Sequence, residues 1–234
     1  MGQLALPLGN HERGGKRRGA GRKPRPENAR RPLVEHRVRP EHRRRHPVHV
    51  TLRAARGIPS LRSERFRNLL ERILDGTRDA NGQVVHFSVQ HDHIHVVLEA
   101  DDKRSLSSLV RRVVIRFALR TNKVLGRSKG KVWGDRYHRR DLESPRDVKN
   151  VLRYLFTNAA KHGEEPASPD ASDPFTSVTS VTSVTSDFAS THRRWRPPRA
   201  RTWLLSTGWW KVHGPLSSHE RRRAGPDVPT AARP

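Results

Sequence analysis

The stretch that decides the fold reads His91-Asp-His-Ile-His-Val-Val-Leu-Glu99. Successive side chains of a β-strand point to opposite faces, so His93 and His95 share one face while the apolar residues between and after them face a core. Two imidazoles on one rigid face can hold a divalent metal ion, although a His-x-His pair by itself is a weak signal. The pattern therefore predicts a strand over 93–99 that carries a candidate metal-binding pair.

Hydrophobic periodicity predicts further elements on both sides of this strand. They are a strand beginning at Val48, a helix over 60–75, a strand over 83–90 with Val85, Phe87 and Val89 facing inward, a helix over 105–125, a strand or turn-rich segment over 131–138, and a helix from Ser144-Pro145 to about Lys161. The short link between strands 83–90 and 93–99 predicts an antiparallel hairpin. We expect an α+β, ferredoxin-like antiparallel sheet of four or five strands, with helices on one face and the functional site on the other.

The last predicted helix carries a tyrosine outside its apolar face. That face consists of Val148, Val151, Leu152, Leu155 and Ala159. At 100° per residue, Tyr154 lies roughly 120° from the centre of the face, and Asn158 and Lys161 share its stripe. Core packing explains such a tyrosine poorly, so we expect an exposed, reactive hydroxyl. The rival nucleophile is Tyr137, whose setting beside Arg136 suits sheet packing or DNA contact better.

Basic residues outnumber acidic residues throughout the chain. Of the 234 residues, 48 are Lys or Arg and 23 are Asp or Glu, which gives a formal net charge of +25. Residues 1–46 contain 14 basic and 4 acidic residues, and residues 47–163 contain 24 basic and 12 acidic residues. Because neutralised phosphates release counterions, this excess predicts a polyanionic partner. Ribosomal and histone-like proteins share the signature, so charge alone identifies no function.

Several classes of protein and site are excluded or disfavoured by composition. The chain has no cysteine, which excludes disulfides, thiolate metal sites and cysteine nucleophiles. No apolar run approaches the roughly 18 residues of a membrane span, and the N-terminal residues lack the order of a signal peptide. We expect a soluble cytoplasmic protein, associated with the nucleoid through DNA and with no membrane partner.

Composition divides the chain into three parts. Residues 1–46 are predicted to be a flexible, disordered basic arm, 47–163 a folded domain, and 164–234 a mostly disordered low-complexity tail that contains a Thr-Ser-Val repeat. Within the arm, Arg22 and Lys23 lie in a Gly-, Arg- and Pro-rich stretch, together with Arg25. This stretch is similar to a minor-groove hook, and a solvated basic linker is the alternative.

Four tryptophans lie among arginines in the tail: Trp195, Trp203, Trp209 and Trp210. Such side chains can stack on unpaired bases, fold back onto the domain, or remain in a disordered segment. Packing or disorder is the interpretation that we favour from sequence.

Taken together, residues 46–163 resemble the Y1 transposases of the HUH superfamily, specifically the IS200-like and REP-associated tyrosine transposases. The resemblance rests on four segments in this order: His46-Pro-Val-His-Val-Thr-Leu52, His93-Ile-His95, Val132-Trp-Gly-Asp-Arg-Tyr-His138 and Tyr154-Leu-Phe-Thr-Asn158. The Gly-Ala-Gly-Arg-Lys arm is a recurrent neighbour in such proteins. Two departures are present: Ala159 follows Asn158 where many relatives have proline, and Gln90-His91-Asp92 stands where relatives often have Pro-Asn.

The resemblance implies a mechanism. His93, His95 and Asn158 would bind Mg²⁺ or Mn²⁺, and Tyr154 would attack a phosphodiester of single-stranded, hairpin-containing DNA. The products would be a 5′-phosphotyrosine and a free 3′-OH, from which the DNA can be rejoined without ATP. The implied DNA-contacting residues are Arg22, Lys23, Arg25, Arg136 and Lys161, in a monomer or a homodimer.

Other interpretations remain open at this point. A decayed transposase would bind DNA hairpins without cutting them, and a domesticated enzyme would process hairpin repeats in the genome. A different enzyme class, the 2H phosphoesterases, is suggested by His49-Val-Thr51, but its second motif would need Thr or Ser at position 95. The sequence has histidine there.

Overall fold

The computed structural model describes Val34 and residues 38–161, 173–177, 195–214 and 216. In chain order the elements are β1 (Val48–Arg53), α1 (Glu64–Asp75), β2 (Gly82–Val89), β3 (His93–Ala100), α2 (Lys103–Val124), β4 (His138–Asp141), α3 (Pro145–Lys161), a π-helical turn (Leu204–Gly208) and α4 (Trp209–His213).

The strands form one antiparallel sheet with the order β2-β3-β1-β4. Because β1 pairs with both β3 and β4, the two central strands are β1 and β3. The succession β-α-β-β-α-β with this order is the ferredoxin-like arrangement. The predicted α+β class with its antiparallel sheet is confirmed.

Local side-chain chemistry sets the helix starts. The hydroxyl oxygen of Ser63 accepts a hydrogen bond from the amide of Phe66 and so caps α1. The helix therefore begins at Glu64, whereas the sequence predicted a start at residue 60. Helix α3 begins as predicted, with a reciprocal cap: the Asp147 amide donates to the Ser144 hydroxyl, and the Ser144 amide donates to the Asp147 carboxylate.

Apolar side chains cover the sheet on both faces. One buried cluster joins α1 and α2 to the face that carries Ile94, as predicted. A second cluster joins α3 and residues 204–216 to the opposite face through Val85 and Val97. The expectation that all helices lie on one face is therefore corrected for α3, because these two valines supply apolar surface on the histidine side of the sheet.

A β-bulge in β2 changes which side chains face which cluster. Pairing with β3 shifts between Val84 and His86. As a result Phe87 and Val89 face the α1–α2 cluster, as predicted, whereas Val85 lies in the α3 cluster. The prediction that Val85 shares their face is wrong, because one extra residue inverts the alternation.

Two segments of the predicted tail pack on the domain. Residues 173–177 lie along β2, where the Ser177 amide donates to the Phe87 carbonyl and the Val89 amide donates to the Phe175 carbonyl. Trp195 is buried against Phe87, with ring centroids 5.2 Å apart. At these residues the structure differs from the expectation of disorder, because the tail contributes apolar groups and strand-like hydrogen bonds.

Within the described residues, no helix combines the length and apolar character that crossing a bilayer requires.

Candidate active site

His93 and His95 occupy the start of β3 and are almost fully buried. Their rings lie edge to face, with centroids 4.6 Å apart. The antiparallel register places Thr51 of β1 opposite His95 and Arg53 opposite His93. The predicted pair therefore shares one face of a central strand, where the backbone is fixed on both sides.

Hydrogen bonds orient both imidazoles through Nδ1. For His93 the partner is the Asp92 carboxylate at 2.5 Å, and Asp92 in turn pairs with Arg53 at 3.1 Å. For His95, Nδ1 lies 3.1 Å from Nε2 of His49. A histidine whose Nδ1 is hydrogen-bonded binds a metal ion through Nε2, and the partner at Nδ1 fixes the tautomer and orientation of the ring.

His49 contributes to this orientation as a neutral side chain. Burial, together with the nearby His138 and Arg140, lowers the pKa of His49 to about 4. Its ring stacks on that of His95, with centroids 5.1 Å apart. A neutral His49 holds His95 without adding a positive charge to a site that would receive a cation.

Tyr154 reaches the histidine pair from α3. Its hydroxyl lies 3.3 Å from Nε2 of His95, and the two rings are perpendicular with centroids 5.0 Å apart. Burial raises the pKa of the phenol, whereas the Asn158 side chain and the charge of Arg53 act in the opposite direction. The side chain is partly buried, not exposed as expected, because α3 packs against the sheet.

Asn158 is 1% exposed. A hydrogen bond between its side chain and the Tyr154 hydroxyl lowers the pKa of that phenol, against the larger effect of burial. Apart from this contact, neither amide atom has a hydrogen-bond partner among the described residues. A buried amide with so few partners is under-satisfied, and a ligand at its oxygen would supply the missing contact.

These residues fit a divalent metal ion. Among the described residues no three His, Cys, Asp or Glu side chains form a ligand cluster. His93 and His95 would supply two imidazole nitrogens to such an ion, and Asn158 would supply an amide oxygen. Two imidazoles and one amide oxygen leave coordination positions open for a substrate phosphate and water.

The other predicted site residues lie elsewhere. Tyr137 packs on the α1–α2 cluster, with the Arg39 guanidinium 3.7 Å from its ring centroid. Arg136 precedes β4. Burial lowers the pKa of the Arg39 guanidinium, and the charge of the nearby Arg136 acts in the same direction. Lys161 ends α3, and its side chain is not described.

The arm residues Arg22, Lys23 and Arg25 lie outside the described residues. Their assignment to DNA contact stays a prediction.

Sequence reasoning did not assign a role to Asp92, Arg53 or Thr51 in the site. For Asp92, the available signal was its position: a carboxylate immediately before a His-x-His strand can hold the first histidine. Asp92 stands where relatives often have asparagine. The roles of Arg53 and Thr51 depend on the β1–β3 register, which one strand alone does not specify.

Comparison with known proteins identifies a family. Residues 44–158 match the family described as "Transposase IS200 like". No curated protein sequence matches the chain.

Two solved structures resemble part of the chain. One is a REP-associated tyrosine transposase bound to a REP hairpin: 17% identity, TM-score 0.49, with 61% of this chain and 82% of that chain covered. The other is a protein from Deinococcus radiodurans R1 described as a candidate transposase: 14% identity, TM-score 0.35, with 58% and 100% covered. Residues 44–158 therefore form a domain of the IS200-like transposase family.

Proposed function

We propose that this transposase cuts and rejoins single-stranded DNA through Tyr154, in a reaction that depends on a divalent metal ion. The observation that carries the proposal is the convergence of the Tyr154 hydroxyl with Nε2 of His95 at 3.3 Å. Asn158, whose buried amide has no partner apart from the Tyr154 hydroxyl, lies one helical turn away from Tyr154. A nucleophile, two imidazoles and an amide ligand on rigid elements form a complete set for phosphoryl transfer.

In the proposed reaction, the phenolic oxygen of Tyr154 attacks the phosphorus of a phosphodiester. The P–O3′ bond breaks, the 3′ oxygen leaves and takes up a proton, and the 5′ phosphate remains as a phosphotyrosine ester. Attack by a 3′-OH on this ester reverses the chemistry, rejoins DNA and returns the phenol. Because the phosphodiester energy is retained in the ester, no nucleotide cofactor is needed.

The raised pKa of Tyr154 keeps the nucleophile protonated at neutral pH. Nε2 of His95 is the nitrogen left for the metal ion, since its Nδ1 is already engaged with His49 and Thr51. A cation held there would lie beside the phenol and favour loss of the phenolic proton. Mg²⁺ or Mn²⁺ held by His93, His95 and Asn158 would supply positive charge against the scissile phosphate and help lower the phenol pKa.

The substrate class follows from charge and from the family resemblance. A chain of net charge +25 favours a polyanion, and the IS200-like family implies single-stranded DNA with hairpins. We place Arg22, Lys23, Arg25, Arg136 and Lys161 among the residues that contact it. Tyr154 and His95 of one chain already meet, which supports cleavage by a tyrosine acting in its own subunit, in a monomer or in each half of a homodimer.

The test uses purified full-length protein with Mg²⁺ and labelled single-stranded hairpin DNA taken from beside its gene. A denaturing gel should show a protein–DNA adduct for the wild type and for Tyr137→Phe, and none for Tyr154→Phe. His93→Ala should lose the adduct as well. An adduct that survives in Tyr154→Phe would refute the assignment, and tight binding without cleavage of an intact element end would favour a non-catalytic DNA-binding protein.

A further inference from the structure

A second cleft lies at the far end of β3 from the histidines. It has a volume of about 360 Å³, and its lining includes Arg44, Arg45, Asp101, Arg201 and Trp203. The tail residues 201–203 form one wall of this cleft, and they lie beyond the segment 44–158 that matches the transposase family.

Trp203 presents an exposed, rigid aromatic surface at this cleft. The side chain is 57% exposed although it is large and apolar. One face of its ring lies over Gly208, where a Cβ atom would approach the ring to 2.5 Å. The π-helical turn Leu204–Gly208 brings these residues together, and such turns occur frequently at functional sites. Packing therefore holds one face of the indole and leaves the other accessible.

A buried carboxylate fixes the backbone immediately before this tryptophan. Glu99 is 2% exposed and accepts hydrogen bonds from the amides of Arg201 and Thr202, at 2.8 and 2.9 Å, and from the Thr202 hydroxyl at 2.8 Å. Gln83 donates to the same carboxylate at 2.9 Å. These four hydrogen bonds make Glu99 an anchor for the backbone that carries the indole; the donors are neutral, so the carboxylate keeps its negative charge.

The cleft has a surplus of positive charge. The Arg201 guanidinium donates to the backbone carbonyls of Asp79 and Ala80, so it is held in place without being neutralised. Arg45 has no carboxylate partner among the described residues, and Arg44 pairs with Asp101 at 2.9 Å. An accessible indole beside unneutralised guanidiniums is the combination that binds single-stranded nucleic acid, through base stacking and phosphate contacts.

We propose that this cleft is a subsite for one unpaired nucleotide of the DNA substrate, whose base stacks on Trp203 and whose phosphate contacts Arg45 and Arg201. The inference rests on the proposed function for the identity of the nucleic acid. Glu99 lies on the same face of β3 as His95 and four residues further along, roughly 13 Å at the rise of a strand. The subsite is thus separate from the linkage that reacts, and it acts in substrate binding, not in chemistry.

Binding of labelled oligodeoxythymidylate to the full chain in EDTA tests the subsite without any cleavage. Trp203→Ala should weaken binding by about 5- to 150-fold, the range expected for loss of one base–aromatic stack. Trp203→Phe should recover most of the affinity. Trp210→Ala is the matched control, because Trp210 is 46% exposed on the same segment but does not line the cleft. The affinity of this variant for oligodeoxythymidylate should stay within about twofold of that of the wild type.

Two further measurements separate stacking from charge and from misfolding. Arg45→Gln should reduce the slope of log affinity against log salt by about one, as expected for one lost phosphate contact. A duplex competitor should bind the wild type and Trp203→Ala equally, since paired bases are not available to stack. Gly208→Ala should weaken single-strand binding like Trp203→Ala, because the added methyl group displaces the ring.

The proposal is overturned if Trp203→Ala and Trp210→Ala bind oligodeoxythymidylate equally well, or if Trp203→Ala weakens duplex and single-strand binding alike. Absence of cleavage with Mg²⁺ would count against the proposed function alone, since the binding assay contains no metal.

Discussion

The phenolic oxygen of Tyr154 lies 3.3 Å from Nε2 of His95, although 59 positions separate the two residues in the chain. The contact exists because Val148, Leu152 and other apolar residues of α3 pack on the face of the sheet that carries the histidines. The position of the hydroxyl is therefore fixed by the same packing that stabilises the fold. A substitution in the site that leaves this packing intact should therefore change DNA cleavage without lowering the free energy of unfolding.

Asn158→Leu should stabilise the metal-free protein while removing DNA cleavage. The substitution replaces a buried amide, whose only contact is with the Tyr154 hydroxyl, by an apolar group of similar size, which predicts a net gain of about 1 kcal/mol in the free energy of unfolding. Denaturant unfolding in EDTA measures it. Asn122→Leu is the control: Nδ2 of Asn122 donates to the Gly130 carbonyl at 3.0 Å, so this change should destabilise. A less stable Asn158→Leu protein would argue against an amide reserved for a ligand.

Asp92→Ala should weaken metal binding without removing a metal ligand. Asp92 holds Nδ1 of His93 at 2.5 Å, and loss of such a partner typically costs about 10- to 100-fold in metal affinity. Calorimetric titration with Mn²⁺ provides the measurement. Asp101→Asn, which breaks the contact to Arg44 at the opposite end of the strand, should leave the affinity unchanged. Equal affinities for the wild type and Asp92→Ala would contradict the assigned role.

His86 should make the fold sensitive to acid. Burial lowers its pKa to about 4 from the usual 6.5. The unfolded chain thus binds a proton between these values when the folded protein does not, so the stabilisation is complete above pH 6.5 and is lost as the pH falls toward 4, by up to about 3 kcal/mol. His86→Gln should flatten the unfolding free energy over this window, and an unchanged slope would show that His86 is not responsible.

Asp173→Asn should destabilise the protein because it breaks a buried ion pair. Arg62 and Asp173 are 10% and 5% exposed, and their closest atoms are 2.9 Å apart. Leaving the Arg62 charge without its partner costs about 3–5 kcal/mol. Glu41→Gln breaks the more exposed pair with Lys103 and should cost less than about 1 kcal/mol. If Asp173→Asn and Glu41→Gln lower the thermal stability equally, the packing of residues 173–177 does not depend on the buried pair of Arg62 and Asp173.

The local parts of the fold were predictable from the sequence. Alternation along 93–99 identified the strand and placed His93 and His95 on one face, because a strand repeats every two residues. The Ser144-Pro145 start of α3 was also predicted correctly, since its cap uses side chains only three residues apart. By contrast, the bulge that turns Val85 to the opposite face depends on pairing with β3, which alternation along β2 does not report.

What the sequence by itself determined was where the candidate residues lie on their own elements: a histidine pair on one face of a strand, and Tyr154 and Asn158 four apart on a helix. Their meeting was decided only by tertiary structure, because periodicity specifies the face of an element but not the neighbour that covers it. The same limit applies to Trp203, which the sequence left open between packing and base stacking. Its exposure and its contact with Gly208 arise from a π-helical turn and from the Glu99 anchor, which lies about a hundred residues earlier in the chain. Interactions over such separations follow from the packing of the whole domain, and no local pattern encodes them.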